Sequence, residues 1–151
     1  MVNSQVSGLY VEDRYFQRIV TLDGTAGLGA VGAITLLNIA GTVQLDALIV
    51  RCLSDLTVNG GTGTASLELG FTGNTAYLSA IAAATVIDTG EFWTTATPTA
   101  VNVSVPGAWR ELYTGANLIA TVSSTGTQVV NGGVILCSTW WRPMSLGANV
   151  F

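Results

Sequence analysis

The chain has 151 residues, which suits one domain, and 49% of them are hydrophobic whereas only 9% are charged. Soluble domains usually carry about 25% charged residues, so part of this surface is expected to be covered by something other than water. The net charge of −4 argues against a nucleic-acid partner, and the absence of His excludes His-based catalysis and most zinc sites.

Residues 1–18 lack a clean periodicity and are predicted to form an extended N-terminal arm outside the domain. They mix aromatic and aliphatic residues with charged ones, which leaves too little local core to fold alone. The arm is expected to lie on the domain or on a neighbour, the alternative being a frayed terminus. No basic stretch followed by an apolar one stands at the start, so a cytoplasmic origin is the default expectation.

Residues 19–151 are predicted to form one antiparallel β-sandwich of the jelly-roll type. Short runs of Val, Ile, Leu and Thr alternate with Gly, Asn and Pro, a pattern typical of a sandwich. The clearest alternation covers 64–71, where Leu67, Leu69 and Phe71 share a face. About eight strands are expected, near 19–23, 31–39, 43–53, 64–71, 85–93, 100–105, 117–123 and 133–142.

A short helix is predicted near 75–84, because this stretch is rich in Ala and Asn74 is a suitable N-cap. Leu78, Ile81 and Ala82 would share one face of that helix. Glycines at 60–61 and 132–133, each pair after an Asn, indicate turns.

Two predicted strands, 43–53 and 133–142, are apolar on both faces. In the first, Leu45, Ala47 and Ile49 alternate with Leu48, Val50 and Cys52; in the second, Val134, Leu136 and Trp140 alternate with Ile135, Cys137 and Trp141. One face can fill the core, and the other is expected to contact a partner. A monomer whose sheets are both covered by loops is the alternative. Polar residues interrupt 31–53, so no membrane span is predicted there.

Three other patterns have structural interpretations that compete with functional ones. The glycines of Gly27-Leu-Gly-Ala-Val-Gly32 match a dinucleotide-binding motif, but the following residues are typical of a strand, which favours a glycine-rich turn. The carboxylates Glu68, Asp88 and Glu91 are interpreted as solvated or Arg-paired rather than catalytic. Cys52 and Cys137 are interpreted as buried free thiols, with a disulfide as the alternative.

Aromatic residues carry the remaining hypotheses. Six of them are candidates for a sugar-stacking platform or for core and subunit contacts: Trp93, Trp109, Trp140, Trp141, Tyr77 and Tyr113. An interface with a neighbouring molecule is predicted to use the arm and the end of the last strand, before Pro143. Its candidate residues are Leu9, Tyr10, Tyr15, Phe16, Trp140, Trp141 and Arg142.

The order of several short motifs resembles that of small virion proteins of tailed bacteriophages, encoded beside major capsid genes. These motifs are LDGTAG at 22–27, GAVG at 29–32, LELG at 67–70 with TGNTA at 72–76, GEFW at 90–93 with TP at 97–98, and WRPMS at 141–145. Within that group the chain is similar to capsid decoration, or cement, proteins.

This resemblance implies a β-sandwich that trimerises on the outside of a capsid and binds the major capsid protein. The predicted interface would then lie against a neighbouring copy or against the capsid shell. It implies a virion location after assembly in the host cytoplasm, no cofactor, no metal and no catalytic residues. The alternative hypothesis is a glycan- or receptor-binding module of a virion fibre.

Overall fold

The computed structural model describes residues 14–101 and 104–151, and almost all of its regular structure is β. Two short 3-10 helices, Ala84–Val86 and Gly107–Trp109, lie in the connections. The strands are β1 (Arg14–Thr21), β2 (Gly32–Ala40), β3 (Thr42–Val58), β4 (Ala65–Phe71), β5 (Asn74–Ala83), β6 (Leu112–Thr114), β7 (Asn117–Ser124), β8 (Val130–Pro143) and β9 (Asn149–Val150).

The strands form two antiparallel sheets with the connectivity of a jelly roll. The four-stranded sheet has the order β1-β8-β3-β6, and the five-stranded sheet has the order β5-β4-β7-β2-β9. Strand β1 pairs with β8, β2 with β7, β3 with β6 and β4 with β5. A long antiparallel ribbon rolled into two sheets produces these pairs, so the predicted jelly roll is confirmed.

A single hydrophobic core lies between the sheets, and strands of both contribute to it. In β8 the core side chains are Ile135, Cys137 and Trp141, as the alternation predicts. In β3 the predicted faces are confirmed for 47–52 but are wrong for Leu45, because a register shift between Leu45 and Ala47 moves the alternation by one residue. Leu45 and Leu48 therefore both face the core, as Val50 and Cys52 do, whereas Ala47 and Ile49 face outward.

The boundary between arm and domain lies earlier than expected. Strand β1 begins at Arg14, and each of its residues pairs with β8, from Arg14 opposite Trp141 to Thr21 opposite Val134. Residues 14–18 thus belong to the four-stranded sheet and not to an arm. Residues 1–13, including Leu9 and Tyr10, lie outside the described residues.

The predicted helix near 75–84 is wrong, since this stretch forms strand β5. The pairing of β5 with β4 shifts register twice, so its buried residues do not alternate. Leu78, Ser79 and Ala82 are buried, which places two of them four residues apart and imitates a helical period. In the described part of the chain no helix has the length and apolar character needed to cross a membrane.

Two predicted strands, 85–93 and 100–105, are also wrong. The first contains a 3-10 turn and a loop, from which Gly90, Glu91 and Trp93 exchange backbone hydrogen bonds with the edge of β3. The described residues of the second belong to no strand. The missed partner of β3 is the three-residue strand β6.

The glycine motif at 27–32 forms the turn between β1 and β2, and Gly32 starts a strand instead of a helix. This confirms the glycine-rich turn. Gly29 has φ +118°, and a Cβ atom there would lie 1.9 Å from the carbonyl oxygen of Val130. The Val130 N–H donates a hydrogen bond to the Gly29 carbonyl at 2.9 Å, which ties the turn to β8.

We expect Gly29→Ala to lower the free energy of unfolding by about 3 kcal/mol, because it combines backbone strain with displacement of a hydrogen-bonded strand. Gly27→Ala is the matched control: Gly27 also has a positive φ, +78°, but open space surrounds its missing side chain. That variant should lose only about 1 kcal/mol. Equal losses in urea unfolding of the two variants would show that Val130 moves aside without cost.

Candidate functional site

The side of the four-stranded sheet that points away from the core is the candidate site, here called the outer face. The register aligns three rows of side chains across β1, β8 and β3. These rows are Tyr15, Trp140 and Ala47; Gln17, Ser138 and Ile49; and Ile19, Leu136 and Arg51.

The outer face exposes large apolar side chains. Tyr15 is 51% exposed, Trp140 is 40% exposed and Ile19 is 59% exposed. The rings of Tyr15 and Trp140 lie 4.8 Å apart and are tilted by 48°, an arrangement that aromatic pairs favour. The Tyr15 hydroxyl donates a hydrogen bond to Oγ of Ser138 at 3.4 Å. The two rings therefore form a fixed apolar surface at one end of the face.

Two arginine residues, Arg142 and Arg51, also lie on the outer face. Arg142 donates two hydrogen bonds to the carboxylate of Asp46, from Nε at 2.8 Å and from an Nη at 2.5 Å. Arg142 follows Trp140 by two residues in β8, so both lie on the outer face. The bidentate geometry fixes the position of the guanidinium group. The guanidinium of Arg51 lies 5.3 Å from the ring centre of Phe92, within the range of a cation–π contact.

The structure places the described interface candidates in two locations, the outer face and the core. Tyr15 and Trp140 lie on the outer face. Trp141 is buried in the core, with the Arg14 guanidinium 5.2 Å from its ring centre. Phe16 is half-buried against that core.

Ile19 and Ile49 belong to the outer face but were not among the predicted interface residues. The alternation of Ile19 with Val20 and of Ile49 with Leu48 and Val50 was a usable signal for both. The bulge in β3 was needed to separate Leu45 from Ile49.

The six predicted platform aromatics do not share a surface. Trp93, Trp109 and Trp141 are fully buried, and Tyr113 is nearly so. Only Trp140 and Tyr77 are substantially exposed, and they belong to different sheets. The core and packing interpretation therefore holds for most of them.

Tyr77 belongs to a small cluster that links the edges of the two sheets. Its hydroxyl donates a hydrogen bond to Glu111 at 2.6 Å, which raises the pKa of Tyr77. Phe71 stacks on Tyr113 with ring centres 4.2 Å apart. Nearby, the indole N–H of Trp109 donates to the Leu78 carbonyl at 3.0 Å. These contacts join β5 to the segment before β6, and β4 to β6 itself.

The carboxylates considered for catalysis are not assembled into a pair. Glu68 lies on β4 of the five-stranded sheet, whereas Asp88 and Glu91 flank a turn hydrogen-bonded to β3 of the other sheet. The Glu91 carboxylate accepts a hydrogen bond from the Asp88 N–H at 3.0 Å, which is a turn-forming contact. Asp55 accepts hydrogen bonds from the N–H and the hydroxyl of Thr89, and these lower its pKa.

Both cysteines are free and buried, as the sequence suggested. They lie on the core side of neighbouring strands, with Cys52 opposite Ile135 and Cys137 opposite Val50. Burial raises the pKa of Cys52 to about 11 and that of Cys137 to about 12. Neither thiol has the accessible, ionised form of a nucleophile.

Among residues 14–101 and 104–151, no group of three or more His, Cys, Asp or Glu side chains is placed to hold a metal ion. No family model, curated protein or solved structure matches the chain. The candidate site therefore rests on the chemistry of the outer face.

We expect the buried thiols to make the fold sensitive to alkali. Folding raises the pKa of both thiols, so the thiols of the unfolded chain ionise first as the pH rises. The stability that the protonated, buried thiols contribute is therefore complete below the ordinary thiol pKa of 9.0 and is lost as the pH rises toward 12. The free energy of unfolding, measured in urea at several pH values, should fall over that range.

In the double variant Cys52→Ala and Cys137→Ala the fall should be shallower. A reducing agent should leave the melting temperature of the unaltered chain unchanged. Rapid reaction of either thiol with Ellman's reagent in the folded protein at pH 8 would contradict the assigned burial.

Proposed function

We propose that the protein is a structural component of a phage virion, a capsid decoration protein that acts as a homo-oligomer, most simply a trimer. Its partner is the major capsid protein, and its task is to reinforce the capsid lattice mechanically. This role needs no cofactor and no catalytic residue.

The observation that carries the proposal is the outer face with its exposed Tyr15, Ile19 and Trp140. Large exposed apolar patches usually mark interaction sites, and Trp, Tyr and Arg are enriched in protein interfaces. The cations of the chain are all Arg, a residue favoured in such interfaces over Lys. Association through this face would account for the low charge content of the chain.

The fold is compatible with this role but does not select it. Jelly rolls occur in viral capsid proteins and in lectins, so function has to be argued from the site. A glycan-binding module would be served by several exposed rings on one surface. The burial of Trp93, Trp109 and Trp141 favours the structural role over that alternative.

Oligomerisation would also strengthen attachment to a lattice. A lattice presents the same contact many times, and an oligomer that engages several copies binds through effective concentration rather than through one strong contact. Weak individual contacts are then sufficient to hold this sparsely charged protein on the lattice.

The proposal is tested by cosedimentation with particles assembled from the major capsid protein encoded in the same genome. The unaltered chain should sediment with the particles, and Trp140→Ala should bind at least about tenfold more weakly, because loss of a large apolar contact between copies removes the gain from multivalent attachment. Tyr77→Ala is the matched control, since Tyr77 is an aromatic residue of similar exposure on the other sheet.

Circular dichroism and thermal melting must show that both variants are folded. Absence of the unaltered chain from the pelleted particles would overturn the proposed function. Specific retention on glycan arrays, lost in Trp140→Ala, would support the fibre-module alternative instead.

A further inference from the structure

The thirteen residues that precede β1 connect to the sheet at its edge. Strand β1 is the first strand in the order β1-β8-β3-β6, and its second residue, Tyr15, already belongs to the outer face. We call residues 1–13 the leading segment. It contains six apolar residues suited to an apolar surface: Met1, Val2, Val6, Leu9, Tyr10 and Val11.

We propose that the leading segment of one copy of the chain lies across the outer face of a neighbouring copy, and that each copy in the oligomer gives one segment and receives one. The inference rests on the proposed function in treating the outer face as a contact between copies. It adds that the leading segment of a neighbouring copy covers this face.

The size of the outer face fits such a segment. Three strands spaced by about 4.8 Å over the eight residues of β1 present roughly 400 Å². The leading segment, when extended, reaches about 43 Å and covers a strip about 10 Å wide, also roughly 400 Å². The eight residues of β1 span about 26 Å, so the extended segment is long enough to cross the whole face and to reach it from a neighbouring copy.

The same areas favour exchange between copies over two simpler arrangements. Two outer faces packed directly together bury roughly 400 Å² on each copy, half of the roughly 800 Å² per partner found in stable interfaces. Exchange buries a segment and a face on every copy, in one interface of a dimer or in two of a trimer, and so brings the area buried per copy closer to that value. A segment folded onto its own sheet would create no contact between copies.

The charges of the two surfaces are complementary. The leading segment contains Glu12 and Asp13 and no Lys or Arg. By the register, Arg51 and Arg142 lie on the outer face, and Arg142 is paired with Asp46. Arg14 and Arg18 alternate with Tyr15 and Ile19 and so point to the other side of the sheet. The two carboxylates of the segment therefore meet a face whose remaining charge, that of Arg51, is positive.

Complementation between two defective variants tests the exchange. The first is a chain lacking residues 1–13, which keeps the face. The second is Ile19→Glu, which keeps the segment but places a charge on the face, at a side chain that is 59% exposed. In analytical ultracentrifugation each variant alone should be monomeric at micromolar concentration. Their equimolar mixture can form one of the two reciprocal segment–face contacts, so it should form a one-to-one heterodimer that is weaker than the unaltered oligomer and populated as the concentration is raised above micromolar.

Two controls accompany the mixture. Ile81→Glu changes a residue that is 55% exposed on the five-stranded sheet, and this variant should remain oligomeric like the unaltered chain. Circular dichroism checks folding, and if Ile19→Glu is unfolded, Trp140→Ala replaces it as the face variant. A synthetic peptide of residues 1–13 should bind the truncated chain and should bind its Ile19→Glu form at least about tenfold more weakly.

Three outcomes would overturn the exchange. The first is that the truncated chain is as oligomeric as the unaltered one. The second is that the mixture remains monomeric. The third is that the unaltered chain is itself monomeric although the truncated chain binds the peptide. The last outcome would place the segment on its own sheet. Capsid cosedimentation is scored separately, so failed complementation with intact capsid binding removes the exchange alone, and the reverse result removes the decoration role alone.

Discussion

The antiparallel ladder between β3 and β8 is the interaction on which the core and the outer face both depend. These are the two longest strands, and they lie side by side inside the four-stranded sheet. At the bulge beside Asp46, the hydroxyl of Thr139 donates a hydrogen bond to the Ala47 carbonyl at 2.9 Å, which satisfies a polar group at the irregular position. The bulge also changes the phase of β3, so that Leu48 enters the core and Ile49 faces outward. Without this bulge, the core-facing apolar residues of β3 and β8 would not lie on the same side of the sheet.

Local periodicity predicted the parts of the fold in which pairing is regular. In β4 and β8, every second residue faces the core, and the sequence pattern was sufficient to assign both the strand and its faces. In β5 and β3, the register shifts, and a shift is decided by the partner strand rather than by the residues themselves. The Ala-rich composition of β5 satisfies a helix equally well, and only its place beside β4 makes it a strand.

The outer face could be predicted only in part for the same reason. Trp140 and Trp141 are adjacent in sequence, and the alternation of β8 separates them correctly into an outer and a core residue. That Tyr15 lies opposite Trp140 depends on the pairing of β1 with β8, a long-range register that no local pattern contains. The bidentate contact of Arg142 with Asp46 likewise joins residues that are 96 positions apart. The residue types indicated that an interaction surface exists. Which residues form it could be determined only from the order and pairing of the strands.

The position of β8 has a consequence for the synthesis of the protein. The hydrogen bond between Tyr15 and Ser138 spans 123 residues, and β8 lies between β1 and β3 although it is translated after both. Until β8 leaves the ribosome, β1 has no strand to pair with, and β3 lacks its longest partner. Long-range pairing of this kind slows folding and leaves strand edges exposed in the meantime. Arg14 and Arg18 at the β1 edge and Asp55 near the end of β3 are then well placed to keep nascent chains apart, because charges on strand edges oppose premature pairing.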